Sequence, residues 1–287
     1  MRTGPLPTAT VASMKLATLR TGPSTVAVRV DDDGATLVET GFADVGELLS
    51  QPDWRARAVS ASGPAHDGAM AVLAQLVTRP EKTICVGLNY RSHVLEMGRS
   101  VPEFPTLFAK FTRALVGPTD NIVLPPVSTQ VDWEVELCVV IGEAVRNADI
   151  ATARRAIAGF TVANDVSVRD WQNRTIQFLQ GKTFEATTPV GPVLVVDEER
   201  SGEFAADVTC EVNGEVVQNG HTDDLIFDPV TLVQYCSQII TLMPGDLILT
   251  GTPGGVGHAC TPPRYLSRGD VLVTRIDGIG ECVNNVV

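Results

Sequence analysis

Several things are scarce in this 287-residue chain, and each shortage excludes a class of protein. Basic residues number only 22 against 34 acidic ones, a formal net charge of -12. A field of that sign repels nucleic acid and anionic membrane, so neither is expected as a partner. No apolar run reaches transmembrane length, and no charged segment leads into a signal-like apolar stretch, so a cytoplasmic location is expected. Six cysteines (85, 138, 210, 236, 260 and 282) include no CxxC pair. Their scatter argues against a zinc site or disulfide scaffold and predicts reduced, buried thiols. A P-loop Gly-Lys-Ser/Thr and a helix-opening GxGxxG are both missing, which rejects nucleotide binding.

Hydrophobic residues are plentiful at 44%, enough for a sizeable core, and 25 Gly with 18 Pro punctuate many short Val-rich runs. That texture predicts strands joined by turns, an α+β chain dominated by β structure. Residues 1–80 read as a small N-terminal domain. It has strands at Lys15–Leu19, Thr25–Arg29 and Ala35–Glu39, a helix at Val45–Leu49, and an amphipathic piece at Ala69–Val77. The opening GPLPTATVAS reads as a loose tail, with Met14 an alternative start to Met1. Residues 81–287 form the catalytic domain, with a short helix at Asn89–Met97, one long strand at Val131–Ile141 and a helix at Ile150–Ala158. Asn213-Gly214 predicts a hairpin turn, and Gly245-Asp246 and Gly269-Asp270 each launch a strand.

The segment VDWEVELCVVIG (131–142) carries the strongest chemistry. Alternation on a strand puts Asp132, Glu134 and Glu136 on one face, with Cys138 and Val140 beyond them. Carboxylates two positions apart raise each other's pKa unless a cation intervenes, and oxygen-only ligands select a hard ion. An edge strand whose charges deter aggregation reads equally well from this segment alone. In AGFTVANDVSVRDWQ a helix starting at Asp165 would stack Asp165, Arg169 and Gln172 on one face, either completing a metal set or forming a surface Asp–Arg pair. His93 and Glu96 stand three apart, as a water-activating base and its orienting carboxylate or as a surface pair. Lys182 in QGKTFE reads by itself as a surface charge. The glycine-rich LTGTPGGVG (249–257) is a turn between strands, or a loop whose amides and Thr252 receive a carboxylate.

Taken in order, CVGLNYRSHVLEM, VDWEVELCVVIG, NDVSVRDWQ, GKTFEATTPVGP, VNGEVVQ and PGDLILTGTPGGVG closely resemble the fumarylacetoacetate hydrolase family, in particular its short-chain bacterial branch. The resemblance runs from about Lys82 to Val287 and is loose before residue 80. It implies a mixed β-roll catalytic domain, a homodimer, and magnesium, with manganese or calcium as alternatives, on Glu134, Glu136 and Asp165. It further implies water activation by His93 and Glu96, and substrate held by Arg169, Gln172, Lys182 and Thr252, Lys182 also acting in catalysis. Thr183-Phe184-Glu185 departs from the family's usual Ser-Phe-Asp, which touches the pocket edge and not the chemistry. The expected activity is metal-dependent hydrolysis of a C–C bond in a 2,4-dioxo acid, such as an acylpyruvate or fumarylpyruvate. The alternative is keto–enol chemistry at the same metal, as in an oxaloacetate decarboxylase or a 2-hydroxyhepta-2,4-diene-1,7-dioate isomerase. A non-catalytic ligand-binding protein would show a broken site, and every position here is filled.

Overall fold

The structure is a computed structural model that describes residues 13–31, 34–96, 98 and 100–287, apart from the side chain at position 96. The opening tail therefore lies outside the described residues. In chain order the first strands and helices are β1 (Lys15–Thr21), β2 (Ser24–Val30), β3 (Thr36–Glu39), α1 (Val45–Leu49), α2 (Trp54–Val59) and β4 (Ala65–Asp67). Next come β5 (Thr83–Gly87), α3 (Arg91–Glu96), β6 (Thr106–Lys110), β7 (Leu115–Val116), β8 (Val131–Asp132), β9 (Val135–Ile141), α4 (Ile150–Ala156) and β10 (Ile157–Asn164). The remainder are β11 (Ser167–Val168), α5 (Arg169–Gln172), α6 (Leu179–Lys182), β12 (Thr188–Val196), β13 (Asp207–Val212), β14 (Glu215–His221), α7 (Pro229–Ile239), β15 (Leu247–Leu249), β16 (Val271–Ile276) and β17 (Gly280–Asn285).

Val-rich runs of period two leave most of these residues in two sheets, so the fold is α+β and β-dominated, as expected. The larger sheet runs β4-β3-β2-β1-β12-β10-β9-β15-β5-β6, with β7 beside β12. It is mixed: β15–β5 and β12–β7 are parallel and the other pairings antiparallel. The smaller sheet is β14-β13-β16-β17, its first hairpin closed by Asn213 and Gly214 at φ 53° and 80°. Such left-handed pairs match strand twist, which is why Asn-Gly closes hairpins.

β9 shows how the layers meet. Val135, Leu137, Val139 and Ile141 join Val208, Cys210, Leu272 and Ile276 in the core between the two sheets. Cys138 and Val140 face the opposite way, into a core shared with Leu48, Leu49 and Trp54 of the N-terminal helices. All seven residues of β9 are buried, so Glu136 sits on a strand with no solvated side. The first eighty residues are tied in as well: Leu16 of β1 pairs Leu194 of β12, so the boundary expected near residue 80 carries no break in the sheet. Of the amphipathic piece expected at Ala69–Val77 only a 3-10 turn at Gly68–Met70 is helical; the second helix of this region is α2, upstream.

Candidate metal centre

Two local departures from the expected secondary structure build the site. The acidic segment is not one strand. β8 pairs with β11 while β9 pairs with β10, and Trp133-Glu134 bridges the gap. The helix expected at Asp165 is displaced for the same reason: pairing with β8 holds Ser167-Val168 extended, so the helix starts only at Arg169. Asp165 lies in the connection, its N–H donating to the Glu134 carbonyl at 2.8 Å. The break brings Glu134 and Asp165 together, with Glu136 one strand position inward.

Glu134, Glu136 and Asp165 each present a carboxylate oxygen, all within 4.8 Å of one another, and all three residues are buried. The Lys182 ammonium bridges Glu134 Oε2 at 2.6 Å and Asp165 Oδ2 at 2.9 Å. Lys110 takes the other Asp165 oxygen at 2.8 Å. Arg169 spans Asp132 and Glu134, its Nη2 lying 2.7 Å from an oxygen of each. Its Nε adds a bond to Asp132 and its Nη1 donates to Gln172 Oε1 at 2.9 Å. A guanidinium has five N–H groups; one on Nη1 remains for a ligand.

Burial works to raise the Glu134 pKa, but Lys182 and Arg169 outweigh it and hold the carboxyl below its ordinary value. Burial likewise opposes the charged form of Lys182, and Asp165 with Glu134 more than compensates, so the ammonium is retained. Glu136 is different. Burial first, then the Asp165 and Glu134 charges, push its pKa well up. Its Oε2 accepts only the Gly251 N–H at 2.7 Å, and no basic side chain is in ion-pair contact with it among the described residues. Four clustered carboxylates thus face three cations, and the uncompensated one points into the cluster. A divalent ion fits that deficit, and the oxygen-only donor set fits a hard ion.

Glu134 and Glu136 of the cluster, without Asp165, line a cavity of about 260 Å³, below the roughly 300–1,000 Å³ usual for drug-sized ligands. His93, Arg169, Gln172, Lys182 and Thr252 line it with Glu134 and Glu136, so the structure gathers these sequence-chosen residues around one space. His93 is brought there by α3, whose Ser92 N–H is held by Asp224 at 3.0 Å. The side chain of Glu96 lies outside the described residues. Phe108 and Phe178 wall the cavity in an edge-to-face contact, and Lys182 lies 5.0 Å from the Phe108 ring.

Two amides of the glycine-rich loop, and that of the residue after it, are taken by carboxylates of the chain itself. Gly251 binds Glu136, while the Gly257 and His258 N–H groups bind Asp132 at 2.7 and 3.0 Å. A side chain at Gly257 would strike the Arg264 carbonyl, 2.1 Å from where its Cβ would stand. The family-atypical Thr183 accepts from the Phe111 N–H at 2.8 Å, and Glu185 pairs with exposed Arg113, both clear of the carboxylates.

Sequence reading passes over Lys110, Asp132 as the partner of Arg169, and Asn164, whose Oδ1 accepts the Glu134 N–H at 2.9 Å. Lys110 leaves one trace, a cation inside the apolar run TLFAKF on the same strand face as Phe108. Five of the six thiols are buried and all six are free; Cys260 is exposed. No helix among the described residues is long and apolar enough to cross a membrane.

Residues 82–287 match the family model described as fumarylacetoacetate (FAA) hydrolase C-terminal. The human mitochondrial oxaloacetate tautomerase FAHD2A is 45% identical over 233 residues, 80% of this chain and 74% of that protein. A solved fumarylacetoacetate hydrolase (EaFAH) from psychrophilic Exiguobacterium antarcticum has a TM-score of 0.84 at 31% identity, covering 96% of this chain and 99% of that one. A 5-carboxymethyl-2-hydroxymuconate delta-isomerase from Mycobacterium smegmatis has a TM-score of 0.80 at 33% identity, with the same coverage.

Proposed function

The chain belongs to the fumarylacetoacetate hydrolase family, and from that premise we propose that it interconverts keto and enol forms of a small 2-oxo dicarboxylic acid of the oxaloacetate kind. The observation that carries this reading is the buried carboxylate cluster, two of whose members, Glu134 and Glu136, line a small cavity together with His93, Lys182, Arg169 and Thr252. Glu134, Glu136 and Asp165 would hold the ion, magnesium first, with manganese or calcium acceptable to the same oxygens. When bound, it supplies Lewis-acid charge to the oxygens of the 2-oxo acid.

The remaining chemistry belongs to the chain. The spare Arg169 N–H, Gln172 and Thr252 bind and orient the substrate carboxylate, offsetting locally the acidity of the whole molecule. An imidazole nitrogen of His93 accepts a proton from C3, and the electron pair forms the C2–C3 double bond. The Lys182 ammonium stabilises the negative charge that develops on the C2 oxygen. His93 then returns its proton to that oxygen, so nothing is gained or lost overall. Phe108 and Phe178 limit water at the reacting carbons.

Hydrolysis of an acylpyruvate or fumarylpyruvate, with His93 and Glu96 activating water, is the second reading, favoured by the presence of both residue types on α3. The names of the relatives support the keto–enol reading better. The acidic chain and reduced thiols fit a cytoplasmic setting.

The test follows loss of enol-oxaloacetate by ultraviolet absorbance, with and without chelator, beside acetylpyruvate cleavage. The expected result is chelator-sensitive acceleration of tautomerisation, lost in His93→Ala although the variant still binds magnesium. Rapid acetylpyruvate cleavage with oxaloacetate tautomerising only at its background rate would replace this reading with the hydrolytic one.

A further inference from the structure

The VNGEVVQ segment, which no step above uses, delivers a buried amide to the site. Gln218 lies on β14 in the smaller sheet and is 1% exposed. Its Oε1 accepts the Val135 N–H at 2.9 Å, between the two candidate metal-binding glutamates. Its Nε2 donates to the Pro253 carbonyl at 3.0 Å and to Thr252 Oγ1 at 2.8 Å.

A backbone N–H only donates and a carbonyl only accepts, so Val135 and Pro253 fix which end of the amide is oxygen and which is nitrogen. The second Nε2 hydrogen therefore goes to Thr252, whose oxygen acts as an acceptor toward the protein. A hydroxyl has a single hydrogen. Among the described residues no protein group accepts the Thr252 hydrogen, and the residue lines the cavity, so its O–H is offered there.

We propose that Gln218 is a positioning residue that sets the polarity of Thr252, making it a donor to an anionic oxygen of the substrate. The same amide pins the backbone between Glu134 and Glu136. The inference rests on the cavity being the binding site for a 2-oxo acid. Replacing the amide by a carboxylate removes the donor: the Thr252 hydrogen turns toward the introduced carboxylate and away from the ligand. Once protonated, that group can donate again.

Calorimetry of oxalate binding to the magnesium-loaded protein, at several pH values, tests this. Gln218→Glu is expected to bind about tenfold more weakly at high pH, the loss of one hydrogen bond to an anion, and to approach the wild type as pH falls. In a Thr252→Val background the same change costs nothing further. A direct effect of the added charge on the anion would persist in the Thr252→Val background with the same dependence on pH, and that result overturns the proposal. Should Gln218→Glu not fold, two single variants decide. Thr252→Ser should match the wild type and Thr252→Val should fall about tenfold; equal binding by Thr252→Val is contrary. Oxalate failing to bind the wild type overturns the proposal too. The expected oxalate pattern without oxaloacetate turnover leaves it standing and removes only the proposed reaction.

Discussion

Glu134 and Glu136 stand two residues apart and are held by opposite means. Glu134 has Lys182 and Arg169 against it, whereas Glu136 has one backbone amide. Their contributions to stability therefore change with pH in opposite directions. The Glu134 pKa is lowered in the folded state, so its contribution is present above glutamate's ordinary value and lost as pH falls through the lowered one. The Glu136 pKa is raised, so its contribution is full below the ordinary value and lost as pH rises through the raised one. In chelator, Glu134→Gln should cost about 1.5–3 kcal/mol, because Lys182 and Arg169 each lose one charged partner while keeping Asp165 and Asp132. Glu136→Gln should raise the melting temperature at neutral and higher pH, flatten its decline with pH, and abolish stabilisation by added magnesium. Thermal unfolding against pH, with and without the ion, checks all four. A Glu136→Gln variant that melts lower in chelator and still responds to magnesium contradicts this assignment.

Among the elements, the glycine-rich loop after β15 acts as a clasp. Gly251 sits at φ 102°, and a Cβ there would stand 2.9 Å from Asn89 Cβ and 3.1 Å from the Val86 carbonyl. Gly251→Ala should shift the loop, release the amide from Glu136 and cost about 1–3 kcal/mol. Manganese affinity by calorimetry should fall about tenfold, and an unchanged affinity would show that the clasp does not hold Glu136. Strands were the most legible elements: Val271–Ile276 and the Asn213-Gly214 hairpin follow directly from alternation and turn chemistry. The break between β8 and β9 was not legible, because VDWEVELCVVI alternates without interruption and only the tertiary pairing of β8 with β11 splits it. The same pairing overrides the helical spacing of Asp165 and Arg169. α7 passed unread although Asp228 caps it and Pro229 starts it, since VTLV that follows carries β-branched residues.

Across the whole molecule, residue types at the site were readable and their partners were not. Strand alternation and spacing made the carboxylates at 134, 136 and 165 candidates, and only the family resemblance made them a set; Lys110 and Gln218 arrive from distant strands and Asn164 from the end of β10, and their convergence belongs to the sheet order. For the homodimer implied by the resemblance we propose the edge of the large sheet. β6 ends the large sheet, and beside it lie Ile84, Leu107 and the exposed Ile239 and Ile240. Sedimentation should give twice the chain mass, with Leu107→Asp/Ile239→Asp shifting it to one copy; a monomeric parent would remove this expectation. The account as a whole turns on the ion. Anomalous diffraction from crystals grown with manganese should place a peak about 2.0–2.6 Å from one oxygen each of Glu134, Glu136 and Asp165. Manganese bound elsewhere, with nothing between those three oxygens, would contradict it.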